Sequence, residues 1–133
     1  MKRFVDTNVF VYSATGHPRF GEKARRILER IEQGEEAVTS TLVLCEISWM
    51  LEAMGKQSEI KPTLEKVLSY RSLEVMEFNA DDLLLGANNM LLYGIDFNDG
   101  VNVALMTKIG IFEAYSNDHK HLGRIDFLKI TFE

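Results

Sequence analysis

Phe4-Val5-Asp6-Thr7-Asn8 is an apolar run that stops abruptly on an acid and two small polar residues. Lys2 to Val5 reads as a short buried strand, with Asp6 at its carboxyl end and the chain turning into a helix at Val9. In open α/β sheets the carboxyl ends of the strands are where ligands bind. An acid at that point more commonly caps the next helix, because Asp and Asn accept hydrogen bonds from free first-turn amides. The stretch alone leaves both readings open. Three further acids in comparable places downstream bear on the choice.

Outward from this stretch, strands and helices alternate. Val9 to Ala14 continues as a short helix, broken at Thr15-Gly16-His17-Pro18. A helix from about Phe20 to Gln33 sets the apolar stripe Ala24, Ile27, Leu28 and Ile31 among charged neighbours, and Gly34 closes it. Ala37 to Ser40 is short and partly β-branched, a second strand. Ser40 or Thr41 then caps a helix reaching to about Met54, apolar nearly all round, which predicts a buried helix. Pro62 suits the first turn of a helix that turns Leu64, Val67, Leu68 and Tyr70 inward. Leu73 to Phe78 alternates with period two, as a half-exposed strand does. Asn79 caps a helix from Leu83 to Tyr93, with Asp81 and Asp82 as structural acids of its first turn. Gly94 to Asp99 opens a helix carrying Val101, Val103, Ala104, Leu105 and Ile109. Ile111 to Tyr115 is a strand that ends in Ser116-Asn117-Asp118, a second apolar-to-acid stop. A last strand spans Leu128 to Phe132. The alternation predicts a mostly parallel sheet between two helical layers, an α/β/α sandwich, in one domain over residues 1–133.

Composition narrows the class. The 133 residues are 46% hydrophobic and 26% charged, ordinary for a globular domain. Met1-Lys2-Arg3 followed by Phe4 and Val5 resembles the opening of a signal peptide, but Asp6, Thr7 and Asn8 interrupt it before an apolar core can form. No run approaches a membrane span. The single cysteine, Cys45, excludes an internal disulfide, and no Cys/His cluster has zinc-finger spacing. A reducing, cytoplasmic setting is the expectation. The net charge of −5 stands against a generally basic nucleic-acid binder.

Four acids stand out. Asp6 and Asp118 each end a strand. Glu46 is the one charge in the first three turns of an apolar helix, expensive unless a cation, a metal or several hydrogen bonds satisfy it. Asp96 and Asp99 are three apart at a helix start, either a capping pair or carboxylates at a helix amino end, with Gly100 allowing close approach of another backbone or a ligand. In a parallel sheet the carboxyl ends of the strands lie along one edge, so Asp6, Glu46, Asp99 and Asp118 are expected to converge there. Four clustered carboxylates require a counter-charge, and an oxygen-rich set suits Mg²⁺ or Mn²⁺.

Taken together, Val5-Asp6-Thr7-Asn8-Val9, the Thr39-Ser40 to Glu46 segment, Gly94-Ile95-Asp96-Phe97-Asn98-Asp99 and Tyr115-Ser116-Asn117-Asp118 resemble the PIN domain, in that family's order over essentially the whole chain. The resemblance implies a metal-dependent ribonuclease, and among small single-domain members a VapC-type toxin paired with an antitoxin. It implies Asp6, Glu46, Asp99 and Asp118 as the catalytic and metal-binding quartet, with Asn8, Asp96 and Ser116 supporting it. It also implies an RNA substrate, a homodimer and an antitoxin partner. Arg19, Lys108, Lys120 and Arg124 are candidate phosphate contacts, though a plain surface charge is the commoner account of each. The sequence departs from the family pattern after Asp118, where His119-Lys120-His121-Leu122 follows. The two histidines are candidate metal ligands or an exposed loop pair. The alternatives are an RNA-processing nuclease without an antitoxin or a PIN-like interaction module that binds metal without useful activity. A haloacid-dehalogenase-type phosphatase is disfavoured, since its Asp-x-Asp motif is absent.

Overall fold

The computed structural model describes residues 2–133, so Met1 lies outside the described residues. Among these, five strands form one sheet: β1 (Arg3–Val5), β2 (Ala37–Ser40), β3 (Leu73–Met76), β4 (Glu113–Tyr115) and β5 (Lys129–Thr131). The strand order is β3-β2-β1-β4-β5, and every pair is parallel. Six α-helices accompany the sheet: α1 (Thr7–Thr15), α2 (Gly21–Glu32), α3 (Thr41–Ala53), α4 (Ile60–Ser69), α5 (Ala80–Tyr93) and α6 (Phe97–Ile109). Two 3-10 turns, Gln57–Glu59 and Leu122–Arg124, complete the elements. This is the expected α/β architecture. None of the helices among the described residues is long and apolar enough to cross a membrane.

The strand order positions the site. From β1 the chain builds outward to β2 and β3, then returns to the other side of β1 with β4 and β5. The order reverses between β1 and β4, and ligands bind in the crevice at such a switch point. Phe4, Val5 and Val38 are fully buried in the central strands, and the polar residues that end them, Asp6, Ser40 and Ser116, are themselves buried.

Element ends follow local chemistry. Helix α1 begins at Thr7, earlier than the expected Val9, because the Asp6 side chain accepts from the Thr7 amide and caps it at once. Ser40 caps α3 by accepting from the Val43 amide. A reciprocal capping box between Asn79 and Asp82 starts α5 at Ala80, not Leu83. Strands β3, β4 and β5 are shorter than expected, since 77–78, 111–112, 128 and 132 lie outside the ladder.

Two expected burials differ. Helix α3 is not buried all round: Trp49 is 54% exposed, and Met54, just past its end, 49%. It packs through Val43, Ile47 and Leu51, and an outer-layer helix has only one face for the sheet. In α4, Val67 is buried, as is Tyr70 just past its end, while Leu68 lies in solvent, because the helix turns the Thr63 and Val67 side inward. Ile109, at the end of α6, is also exposed.

Helices α5 and α6 are in unusually close contact. A methyl group on Gly100 would fall well inside the Gly86 carbonyl oxygen and lie 3.3 Å from the Met90 nitrogen. One on Gly86 would overlap Val101. The close approach that Gly100 permits is therefore of another backbone. Beside this crossing, Lys108 Nζ lies 2.9 Å from Oδ1 of buried Asp82, whose carboxyl is held below its ordinary range chiefly by its bond to Lys108. That ion pair takes Lys108 out of the phosphate-contact candidates. Gly100→Ala is expected to cost about 1–3 kcal/mol through overpacking and to lower Tm by several degrees in thermal denaturation, with Gly86→Ala similar.

Candidate active site

The site is built from the ends of β1, β2 and β4 and the starts of α1, α3 and α6. The Asp6 amide donates to the Tyr115 carbonyl at 3.0 Å, tying the ends of β1 and β4 together. The carboxylate of Asp6 is then held from two sides. Ser116 Oγ donates to Oδ2 at 2.7 Å, and the Thr7 amide donates to Oδ1 at 2.8 Å. Ser116 Oγ also accepts from the Asp118 amide at 3.0 Å, so a single hydroxyl orders both strand-end acids. Asp6 is both a helix cap and a member of the acidic group, so the two readings left open by the sequence are compatible.

Glu46 approaches from α3. Its Oε1 accepts from Thr7 Oγ1 at 3.1 Å and from Asn102 Nδ2 at 3.4 Å. Asn102 is buried and its Oδ1 accepts from Ser40 Oγ at 2.7 Å. No basic side chain contacts Glu46 among the described residues; neutral donors satisfy it instead. Asp99, in the first turn of α6, lines an open cleft with Glu46, Asp96, Phe97 and Asn98.

The electrostatics record the convergence. Burial pushes Glu46 up to about 7, with the Asp6 charge adding to the shift. Asp99 is pushed up to about 8, first by burial and then by Asp6, Asp118, Glu46 and Asp96. Asp6 is raised by burial against the opposing bonds from Ser116 and Thr7. Acids spread along the chain thus act on one another at one sheet edge. The donor set fits a hard divalent cation: carboxylate oxygens predominate, and a cation among them would offset the repulsion that raises Glu46 and Asp99. Asp96, Asp99 and His121 can each place a ligand atom within 4.8 Å of the other two.

The supporting candidates divide. Ser116 is at the centre of the hydrogen bonding. Asp96 takes the N-cap position of α6 but forms no side-chain cap bond, and its carboxylate is exposed. Asn8 is half-buried in the first turn of α1, and it is its neighbour Thr7 that bonds Glu46. Of the candidate phosphate contacts, Arg19 stacks its guanidinium on Phe20 at the α1–α2 turn, 5.0 Å from the ring centre. Arg124 donates to the Gly94 carbonyl at 3.1 Å, and Lys120 is exposed in the loop after Asp118. Sequence reasoning missed Thr7, Asn102 and the part played by His121. Asn102 carried a signal: it is the polar interruption of the apolar run Val101 to Met106, one turn beyond Asp99.

These shifts carry a sign. Glu46 and Asp99 have folded values above their unfolded ones, so each favours the folded state at pH below the unfolded value, near 4, and loses that contribution as pH rises through about 7 to 8. The metal-free protein is therefore expected to melt at a lower temperature at pH 8.5 than at pH 5.5. The difference should shrink in Asp99→Asn and on adding Mn²⁺ at the higher pH, as read by differential scanning calorimetry.

Comparison with known proteins agrees with this fold. Among solved structures, Mycobacterium tuberculosis VapC20, described as a sarcin–ricin-loop-cleaving toxin, superposes with a TM-score of 0.76 at 21% identity, covering 90% of this chain and 92% of its own. VapBC2 from Rickettsia felis, bound to a promoter DNA fragment, gives 0.72 at 22% identity over 98% of both chains. DNA-bound VapBC from Salmonella typhimurium gives 0.68 at 17% identity, also over 98% of both. At these identities the likeness is one of fold. Comparison with curated proteins finds no match. The PIN domain model matches residues 3–128, and the chain belongs to the PIN domain family.

Proposed function

We propose that this protein is a Mg²⁺- or Mn²⁺-dependent endoribonuclease that acts as the toxin of a VapBC-type pair. The observation that carries this reading is that Asp6, Glu46 and Asp118 all lie near enough to Asp99 to raise it, at the switch-point edge of a parallel sheet, with Asp6, Glu46 and Asp118 oriented by neutral donors. Those four residues would hold the metal. When bound, the cation supplies an activated water and charge stabilisation for the phosphoryl oxygens. The chain's own residues do the rest. Ser116 and the Thr7 amide fix the direction of Asp6. Thr7 and Asn102 hold Glu46 at the cleft wall, where Glu46 or Asp99 orients the attacking water. Lys120, exposed beside Asp118, contacts the substrate phosphates.

Two surfaces support the homodimer and antitoxin partners that the family resemblance implies. On α5, Leu84, Leu85, Leu91 and Leu92 share one face in solvent, with Leu91 84% exposed. A stripe of this kind marks an interaction surface, and a second copy of the chain covers it in this reading. A groove whose lining mixes Phe10, Leu28, Pro62 and Tyr70 with Glu59 and Lys66 accepts a segment of the antitoxin in this reading. The net charge of −5 favours a second reading, a metal-binding interaction module without cleavage.

Cleavage of a labelled mixed-sequence RNA with Mg²⁺, Mn²⁺ or EDTA separates the two. Cleavage should require metal and fall by at least about 10²-fold in Asp6→Asn and in Asp99→Asn, the scale of losing a principal charge-stabilising group. Metal binding without cleavage of any RNA, including RNA from ribosomes, would select the interaction module. In sedimentation velocity, the native protein should run as a dimer and the double variant Leu84→Glu, Leu91→Glu as a monomer.

A further inference from the structure

His121 belongs to the segment where the sequence leaves the family pattern, and the mechanism above does not use it. Its side chain is 18% exposed, not a free loop histidine. Its backbone amide donates to Asp118 Oδ1 at 2.9 Å, fixing the carboxylate of the β4 end. Its ring reaches across to the start of α6, where Nδ1 accepts from the Asp96 amide at 3.2 Å. One residue thus joins the loop that carries Asp118 to the helix end that carries Asp99. A bond from Arg124 to the Gly94 carbonyl runs between the same two segments.

The ring's hydrogen bonding decides its role. The first-turn amides of a helix lack intrahelical partners, and the Asp96 side chain does not cap α6. The imidazole meets part of that need. A neutral ring whose Nδ1 accepts a hydrogen bond carries its proton on Nε2, so neither nitrogen offers a lone pair to a metal. Nε2 faces the Asp96 carboxylate at 3.7 Å, and Nδ1 lies 3.9 Å from Asp99 Oδ2.

We propose that His121 is a positioning residue that clamps the start of α6 to the Asp118 loop, and so sets the spacing of Asp99 and Asp118 across the metal site. The inference rests on the metal-dependent reading above. Groups that orient metal ligands without touching the metal are typically worth 10- to 100-fold in metal affinity.

Three variants test it, with Mn²⁺ binding followed by isothermal calorimetry and folding by circular dichroism and Tm. Asn places Oδ1 near the position of Nδ1, Gln places its amide near Nε2, and Ala removes both. His121→Ala is expected to weaken Mn²⁺ binding by about tenfold or more, His121→Gln to weaken it similarly, and His121→Asn to stay near native. Hydrogen exchange at the Asp96 amide should accelerate in the Ala and Gln variants and remain slow in the Asn variant. Native affinity in folded His121→Ala would overturn the clamp. Retention by Gln with loss in Asn would overturn it in favour of direct ligation through Nε2. If the native protein itself bound no Mn²⁺, the metal reading of the site would fall and this inference with it.

Discussion

Carboxylates brought together in a partly dry cleft repel one another, and that repulsion is the constraint on which the rest of this structure depends. At short range and reduced dielectric each pair costs several times what it would in water. Among the described residues no Arg or Lys is paired with Asp6, Glu46, Asp99 or Asp118. The protein orients the acids with neutral donors: the Ser116 and Thr7 hydroxyls, the Thr7 amide and the Asn102 amide. Neutral donors determine where the oxygens point but leave the net charge in place. Burial first, and the neighbouring acids second, hold Glu46 and Asp99 above the ordinary carboxylate range.

Holding such a group requires a rigid frame, and the fold provides it by cross-ties between elements distant in sequence. The Thr39 hydroxyl donates to the Val5 carbonyl, fastening β2 to the end of β1. Ser40 caps α3 and donates to Asn102 of α6, so the helix that carries Glu46 and the helix that carries Asp99 are referred to the same hydroxyl. The glycine crossing of α5 and α6 sets how near Asp99 can come, since Gly100 directly follows it. The buried polar residues of this edge all have named partners, as interior polar groups must.

Much of this was legible in order along the chain. The abrupt stops at Asp6 and Asp118 are visible because a buried strand is an apolar run and its end needs polar groups. The stripe of α2, the cap at Asn79 and the breaks at Gly16 and Gly94 are local and periodic, and they stand close to where the pattern placed them. What the pattern misjudged was exposure. Leu68 and Trp49 read as interior because apolarity records what a residue tolerates, not which face a packed helix turns outward. Lys108 read as a surface charge because nothing local announces that Asp82, on another helix, is buried beside it.

By itself the sequence determined the alternation of strands and helices and the α/β class, and it singled out four acids as costly without a partner. Those follow from short-range physics: periodicity, capping, and the expense of an isolated charge among apolar neighbours. Only the tertiary structure decided that Thr7 and Asn102 satisfy Glu46, that one Ser116 hydroxyl serves both Asp6 and Asp118, and that His121 bridges the Asp118 loop to α6. These bonds link residues up to 110 positions apart, and which donor meets which acceptor depends on strand order and helix packing to within a fraction of an ångström. No local pattern encodes that distance.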